Sequence, residues 1–265
     1  MPYQALDIPR FKTTPYPEAD MVKKASGVDF DTPTLALMSE GNRRALRNSG
    51  IPILVEIESA FTRGGSNTGT HIIEHNLTLL APRMSPKQYQ ETAIHEASHA
   101  LRAHLLDYKS PPKGVRPDLD PMNHYRDNLG WRIYEEGFAE YWEETTKATQ
   151  LLGLTGPELR KHRHKVIDDQ LKIVDGVRTN IFDKADLAAY PMGHYLINKL
   201  IGNLELVVGA ERALQIVGTA EVTSLEDVFA AISGIRKPKF INLSLTESLR
   251  YSANLFVANR LGRDF

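Results

Sequence analysis

The stretch HEASH at residues 95–99 decides the fold and the chemistry predicted for this chain, because it lies within a segment of helical periodicity. Residues four apart on a helix are about 40° apart around its axis, so His95 and His99 present both imidazoles to one metal ion. Glu96 lies on the adjoining face, close enough to take a proton from a water on that metal. The stretch therefore predicts two nitrogen ligands beside a carboxylate base, as in hydrolytic zinc sites.

A strong helix start precedes this motif. Ser85 is placed to be the N-cap, Pro86 occupies the first helical position, and Gln88 is placed to close a capping box. Apolar residues then recur at intervals of three and four positions, at Ile94, Ala97, Leu101 and Leu105. This spacing gives the helix an apolar face distinct from its histidine face, which favours a packed helix over a solvated one with incidental histidines.

A third metal ligand has to come from elsewhere, since catalytic zinc usually takes three protein ligands. A third histidine six positions after His99 is excluded, because Leu105 occupies that place and His104 is one residue too early. A second helix is predicted from Trp131 to a stop at Gly153. It carries carboxylates at intervals of four and three positions, at Glu136, Glu140 and Glu143. This stripe supplies candidate ligands, and a solvated helix face is the alternative interpretation.

Residues 135–139, Glu-Glu-Gly-Phe-Ala, resemble the N-E-G-F-A segment that follows H-E-x-x-H in aminopeptidase-N-like gluzincins. The resemblance implies that Glu136 is the third zinc ligand. It also implies that Glu140 or Glu143 hydrogen-bonds a ligand imidazole and fixes its tautomer. Glu140 matches the position used in thermolysin-like enzymes, and Glu143 matches the aminopeptidase-like one. The resemblance extends over roughly residues 70–232.

A further segment, Tyr-Pro-Met-Gly at residues 190–193, is similar to the Y-x-x-G segment of the same enzymes. The resemblance implies that the Tyr190 hydroxyl stabilises the oxyanion of the tetrahedral intermediate, and donors of this kind lower a barrier by roughly 3 kcal/mol. We expect the segment to open a helical stretch, with Pro191 in the first turn. Without the two preceding motifs, Tyr190 would be interpreted as a core or rim tyrosine.

The chain departs from the family pattern between His99 and Glu136, which are 37 positions apart, about twice the usual spacing. The excess lies in residues 107–130, a polar, proline-rich stretch that is predicted to be an inserted surface loop. Three alternative ligands within this loop rank below Glu136, namely Asp118, Asp120 and His124.

A second departure concerns the segment that binds a substrate's free amine in the aminopeptidases. Only a weak match to that segment is present, at Glu74. An aminopeptidase would need a buried acidic residue there to bind the free amine of the substrate. Because the match to this segment is weak, an endopeptidase is favoured.

The composition is that of an ordinary folded protein, with 42% hydrophobic and 25% charged residues among 265. A net charge of −1 gives no general attraction to nucleic acid. No apolar stretch approaches the roughly 18–20 residues of a membrane span. The absence of cysteine excludes thiolate zinc ligands and disulfides. No signal peptide is visible, so the cytoplasm is the default expectation, with a removed leader as the alternative; the oligomeric state is left open.

The order of these patterns predicts an α+β, zincin-like fold. Residues 1–84 are expected to form an arm, over about the first 45 residues, and a strand-bearing lobe, while residues 85–265 form the helical catalytic region. Strands are predicted at residues 51–57 and 71–80, the latter pairing with extended substrate. Further helices are predicted at 157–176, 185–201 and 210–217 and after capping boxes at 223–226 and 244–247.

Together these features predict a zinc metallopeptidase that hydrolyses peptide or protein substrates, with endopeptidase activity favoured. The alternatives are an aminopeptidase of the same superfamily and a catalytically inactive zinc-binding module that recruits a partner. Glu96 and Tyr190 favour an enzyme, because a binding module needs neither a general base nor an oxyanion donor.

Overall fold

The structure is a computed structural model, and it describes residues 11–49, 58, 68–107, 129–176, 185–220, 222, 226, 228, 230 and 241–261. The chain divides into two compact units, the first comprising residues 1–110 and 142–154 and the second residues 111–141 and 155–265. The described part is mostly helical and contains one four-stranded mixed sheet. This content agrees with the α+β class predicted from the sequence.

The sheet of the first unit has the order β1-β2-β4-β3. Its strands are β1 (Thr13–Thr14), β2 (Thr34–Leu37), β3 (Gly69–Ile72) and β4 (Leu77–Leu80). Strands β2 and β4 are parallel, whereas the β1–β2 and β3–β4 pairs are antiparallel. Among the described strands, β3 therefore lies at an edge of the sheet, with β4 beside it.

Two helices pack on this sheet within the first unit. Leu46 of α2 (Glu40–Asn48) joins a buried apolar cluster with Ala36, Met38, Ile72, Leu77 and Leu79. Helix α3 (Pro86–Leu105) contacts β3 and β4, and α1 (Pro17–Ser26) packs along α3. The hydroxyl of Tyr16, at the start of α1, donates a hydrogen bond to the Ala93 carbonyl at 2.7 Å.

Helix α3 begins where the sequence predicts. The Ser85 hydroxyl accepts from the backbone N–H of Gln88, and the Gln88 side chain accepts from the backbone N–H of Ser85. Ile94, Ala97 and Leu101 of its apolar stripe are completely buried. The capping box and the stripe thus fix where the helix begins and which face is packed.

Two expectations for the N-terminal region were wrong. The single strand predicted at residues 71–80 is a hairpin, interrupted by a 3-10 turn at Ile73–His75 and by Asn76 with φ 44°. Asparagine tolerates this left-handed conformation, so the chain reverses there. The expected N-terminal arm without regular structure is also wrong, because residues 11–49 contain β1, α1, β2 and α2. Strands of two to four residues are too short to give a readable period-2 pattern.

Some predictions fall outside the described residues. These are the strand at 51–57, most of the insertion at 107–130 with Asp118, Asp120 and His124, and the capping box at 223–226. The side chain of Glu74 also lies outside the described part.

Helix α4 (Leu129–Thr146) continues through a π-helical turn at Lys147–Leu151, and Gly153 with φ 67° follows it. The boundary between the two units falls within this one helix, after Tyr141. Every described side chain from position 130 to 146 is buried or half-buried. The carboxylate-bearing helix is therefore a packed element, and the alternative of a solvated face is wrong for it.

The remaining helices of the second unit correspond to helices predicted from the sequence. They are α5 (Gly156–Gly176), α6 (Ala185–Val208), α7 (Ala210–Gly218) and α8 (Leu245–Leu261). Helix α8 begins with the predicted capping box, in which the Ser244 N–H donates to Glu247 at 2.8 Å and the Glu247 N–H donates to Ser244 at 3.4 Å. Of the helices described, none has both the length and the apolar character needed to cross a bilayer.

Helices α4 and α6 meet backbone to backbone within the second unit. A Cβ atom on Gly137 would overlap the carbonyl group of Gly193, and a Cβ on Gly193 would overlap the carbonyl oxygen of Ile133. Only glycine permits so close an approach at both positions. Gly137 directly follows Glu136, and Gly193 lies one turn after Tyr190. The two segments that carry the family resemblance therefore cross each other in the fold.

Helix α6 begins at Ala185, as predicted, but the expectation that residues 190–193 open a helical stretch was wrong. Tyr190 and Pro191 lie in the second turn of the helix and not in its first. Pro191 has no N–H to donate, so the carbonyl of residue 187 loses its usual helical partner.

The glycine crossing makes a testable prediction. Gly137→Ala and Gly193→Ala should each lower the free energy of unfolding by about 2 kcal/mol or more, because the added methyl group forces the two backbones apart. Gly41→Ala in α2 is the matched control, since nothing lies within 4 Å of its Cβ position. That change should be neutral or should stabilise the protein by up to about 1 kcal/mol. Denaturant unfolding gives all three values, and equal stability of the three variants would contradict the crossing.

Candidate metal centre

The two histidines of the HEASH stretch already have the separation that a shared metal requires. Their Nε2 atoms are 3.2 Å apart, and the rings meet edge to face with an interplanar angle of 76°. Two ligands of a tetrahedral zinc, each about 2.0–2.1 Å from the ion, lie roughly 3.3–3.4 Å from one another. The helical spacing of His95 and His99 therefore produces a pair of nitrogen atoms suited to one metal ion.

Glu143 fixes the tautomer of one of these rings. Its Oε2 lies 3.1 Å from Nδ1 of His95. An ionised carboxylate only accepts hydrogen bonds, so Nδ1 carries the hydrogen and Nε2 carries the lone pair. Such a bond orients a histidine for metal binding. The sequence left Glu140 and Glu143 open for this position, and the structure places Glu143 there, whereas Glu140 accepts from Gln170 at 3.3 Å.

The electrostatic environment keeps Glu143 ionised. Burial raises the pKa of this carboxyl, but the hydrogen bond from His95 and the charge of Lys147 outweigh burial, and the net pKa lies below its usual value. Lys147 lies 3.2 Å from Glu143 and 3.1 Å from Glu144. Burial opposes the charge of Lys147, yet these two carboxylates raise its pKa overall. The acceptor for His95 is thus maintained as an anion.

Helix α4 carries Glu136 two turns before Glu143. Ligand atoms of His95, His99 and Glu136 all lie within 4.8 Å of one another, and the same holds for His95, Glu140 and Glu143. Glu136 is half-buried, with Arg132 at 4.0 Å. The described residues therefore contain two overlapping groups that could hold a metal ion, and the first is the ligand set predicted from the sequence.

The burial of the α4 carboxylates suits a bound cation. Glu135 and Glu144 are less than one tenth exposed, and Glu136, Glu140 and Glu143 are half-buried. Buried carboxylates cost free energy unless charges or hydrogen bonds compensate them. Lys147 compensates part of this charge. A divalent cation on His95, His99 and Glu136 would compensate more, so the donor set and its charge fit a metal such as zinc.

Glu96 is buried on the face of α3 that meets the edge strand. A Cβ atom on Gly69 of β3 would lie 2.7 Å from Oε1 of Glu96 and 2.6 Å from a methyl carbon of Thr92. The missing side chain at Gly69 thus leaves the space that Glu96 occupies. Burial, and then the charge of Glu96, raise the pKa of the neighbouring Tyr16. The Glu96 carboxyl therefore lies in a packed environment beside β3.

His71 is a further polar residue of this region that the sequence did not single out. It lies on β3 two residues after Gly69, and its Nδ1 is 3.1 Å from the hydroxyl of Thr78 on β4. Burial, and then the charge of His99, lower the pKa of His71 to about 3, so the ring is neutral near pH 7. A lone histidine on a short strand carries no spacing signal, which is why sequence reasoning missed it.

Tyr190 is half-buried on α6. It lies one turn before Gly193, and Gly193 packs against Gly137, the residue that follows Glu136.

Comparison of the chain with known protein families, with curated proteins and with solved structures finds no match. The candidate metal centre thus rests on its own geometry, which is that of a two-histidine, one-carboxylate group carried by two helices.

The His95–Glu143 bond predicts how metal affinity depends on α4. Glu143→Gln removes the charge that orients His95, so the affinity for titrated zinc should fall about 10- to 100-fold while the stoichiometry stays the same. Glu158→Gln, an exposed change on α5, is the control and should leave the affinity unchanged. Isothermal titration of metal-free protein measures both. Equal affinities in the two variants would show that Glu143 does not support the metal.

Proposed function

We propose that the protein is a zinc-dependent metallopeptidase of the gluzincin type, and that it acts as an endopeptidase on peptide or protein substrates. The observation that carries this proposal is the pair of Nε2 atoms 3.2 Å apart on His95 and His99, together with Glu136. Glu96, next to one of these histidines in the sequence, supplies the base that hydrolysis needs and that simple metal storage does not.

Each residue of the site has a role in this proposal. His95, His99 and Glu136 would hold the zinc, which would supply Lewis acidity and lower the pKa of a bound water toward about 7. Glu96 takes the proton from the attacking water and delivers it to the leaving amine. Tyr190 donates a hydrogen bond to the oxyanion. Glu143 keeps the lone pair of His95 directed at the metal.

The edge strand β3 is the proposed place for the substrate backbone. An extended peptide can add to a sheet edge through main-chain hydrogen bonds, with side-chain pockets giving specificity. Gly69 of this strand touches Glu96. A peptide running along β3 would therefore pass close to the proposed base.

The general base gives the first test of this function. Glu96→Gln should retain zinc and lose at least about 100-fold in turnover, the usual scale of general acid–base catalysis. Glu91→Gln, on the same helix and paired with Lys87 at the surface, is the control and should keep full activity. Digestion of a peptide library with and without chelator gives the rates. An active Glu96→Gln variant would remove Glu96 from this role, and a wild type that binds zinc but cleaves no peptide would favour a binding module.

The oxyanion donor gives the second test. Tyr190→Phe should lower kcat by about 10²–10³-fold with little change in KM or zinc content, because the hydroxyl acts on the transition state. Tyr195→Phe, on the same helix and half-buried, is the control for loss of a phenol hydroxyl. Steady-state kinetics and thermal unfolding should be measured together. A wild-type kcat combined with reduced stability in Tyr190→Phe would assign Tyr190 a packing role instead.

A further inference from the structure

His71 is bonded through one of its two ring nitrogens. Its Nδ1 lies 3.1 Å from the hydroxyl of Thr78 on β4. A threonine hydroxyl can accept a hydrogen bond, so in the Nδ1–H tautomer Thr78 accepts the hydrogen of this ring.

The other nitrogen of His71 then carries a lone pair. This Nε2 atom is buried and has no hydrogen-bond partner within the part of the chain that the structure describes. Buried polar atoms without partners are uncommon in folded proteins, because the hydration they lose is not replaced. A buried acceptor beside a candidate metal centre points to a donor that arrives with the metal or its ligand.

The position of His71 indicates which donor this is. Alternate residues on a strand share a face, so His71 and Gly69 lie on the same side of β3, and Gly69 touches Glu96. His71 belongs to neither group of ligand atoms within 4.8 Å, so it is not among the candidate direct ligands. Its ring lies on the face of β3 that meets the proposed base.

We propose that Nε2 of His71 accepts a hydrogen bond from the water that occupies the open coordination position of the metal. The proposal rests on the proposed function and adds a residue to its site. A water on the metal has two hydrogens, and Glu96 takes one of them as base. His71 holds the other, and this directs a lone pair of the water toward the substrate carbonyl.

The test uses the whole 265-residue chain labelled with ¹⁵N-histidine, freed of metal and then titrated with zinc alone. Two-bond ¹⁵N–¹H spectra report the tautomer of each imidazole, and the His71 signals are assigned by their loss in His71→Phe. We expect His71 in the Nδ1–H form throughout. We also expect its Nε2 resonance to move on addition of one equivalent of zinc, by less than those of the coordinating His95 and His99.

Variants of Thr78 and His71 sharpen the test. Thr78→Val removes the acceptor for Nδ1, so the second tautomer of His71 should become populated, whereas Thr78→Ser keeps the hydroxyl and should keep the Nδ1–H form. His71→Phe should lower turnover about 10- to 100-fold, with less than about a tenfold change in zinc affinity. The spectra of the Thr78 variants and of the wild type are informative even if His71→Phe fails to fold.

Three results would overturn the proposal. Zinc binding with an unchanged Nε2 resonance would remove His71 from the site while leaving the proposed metal centre intact. A shift as large as those of His95 and His99, with a loss of zinc affinity beyond about 100-fold in His71→Phe, would make His71 a direct ligand. Failure of the protein to bind zinc at all would overturn both this proposal and the proposed function.

Discussion

Glu143 accepts a hydrogen bond from Nδ1 of His95 at 3.1 Å, and this bond ties helix α3 to helix α4. The bond leaves the Nε2 lone pair of His95, one of the two histidines of the HEASH motif, available to a metal. The hydrogen bond from His95, and then the charge of Lys147, keep the pKa of Glu143 below its usual value, so Glu143 stays an anion. The same helix that supplies Glu143 also supplies Glu136, so one element provides both a candidate ligand and the support for another candidate ligand.

Close backbone packing is the second constraint on the site. The crossing at Gly137 and Gly193 brings the Glu-Glu-Gly-Phe-Ala and Tyr-Pro-Met-Gly segments together, and it explains both glycines without reference to catalysis. Gly69 has the same effect in the first unit, where it lets strand β3 approach Glu96. At these three positions a missing side chain determines where a functional group of the proposed site lies.

The helical part of the fold could be predicted well from the sequence, because its signals are local. The capping boxes at Ser85 and Ser244 and the apolar stripe of α3 mark helices that the structure contains. The sheet was predicted poorly. Its strands are two to four residues long, and the hairpin depends on a single residue, Asn76, in the left-handed conformation. Strands of that length are too short to produce a recognisable alternating pattern in the sequence.

The candidate site shows the same division. The four-residue spacing of His95 and His99, together with the resemblance that singled out Glu136, predicted a group whose ligand atoms lie within 4.8 Å of one another. The choice between Glu140 and Glu143 depended on tertiary contacts, with Gln170 meeting one and His95 the other. The surroundings of His71 depend on the pairing of β3 with β4, which places His71 opposite Thr78 and which no local sequence pattern predicts. Side chains grouped by their spacing within one helix were therefore predictable, whereas contacts with a neighbouring helix or strand were not.

The central claim is that His95, His99 and Glu136 hold one zinc ion, and X-ray absorption at the zinc edge tests it most directly. Protein loaded with one equivalent of zinc should show four nitrogen or oxygen neighbours at about 2.0–2.2 Å, with the multiple-scattering signature of two imidazoles. Glu136→Ala should change the oxygen part of this shell and leave both imidazoles in place. A six-coordinate shell of oxygen atoms without imidazole scattering would contradict the account.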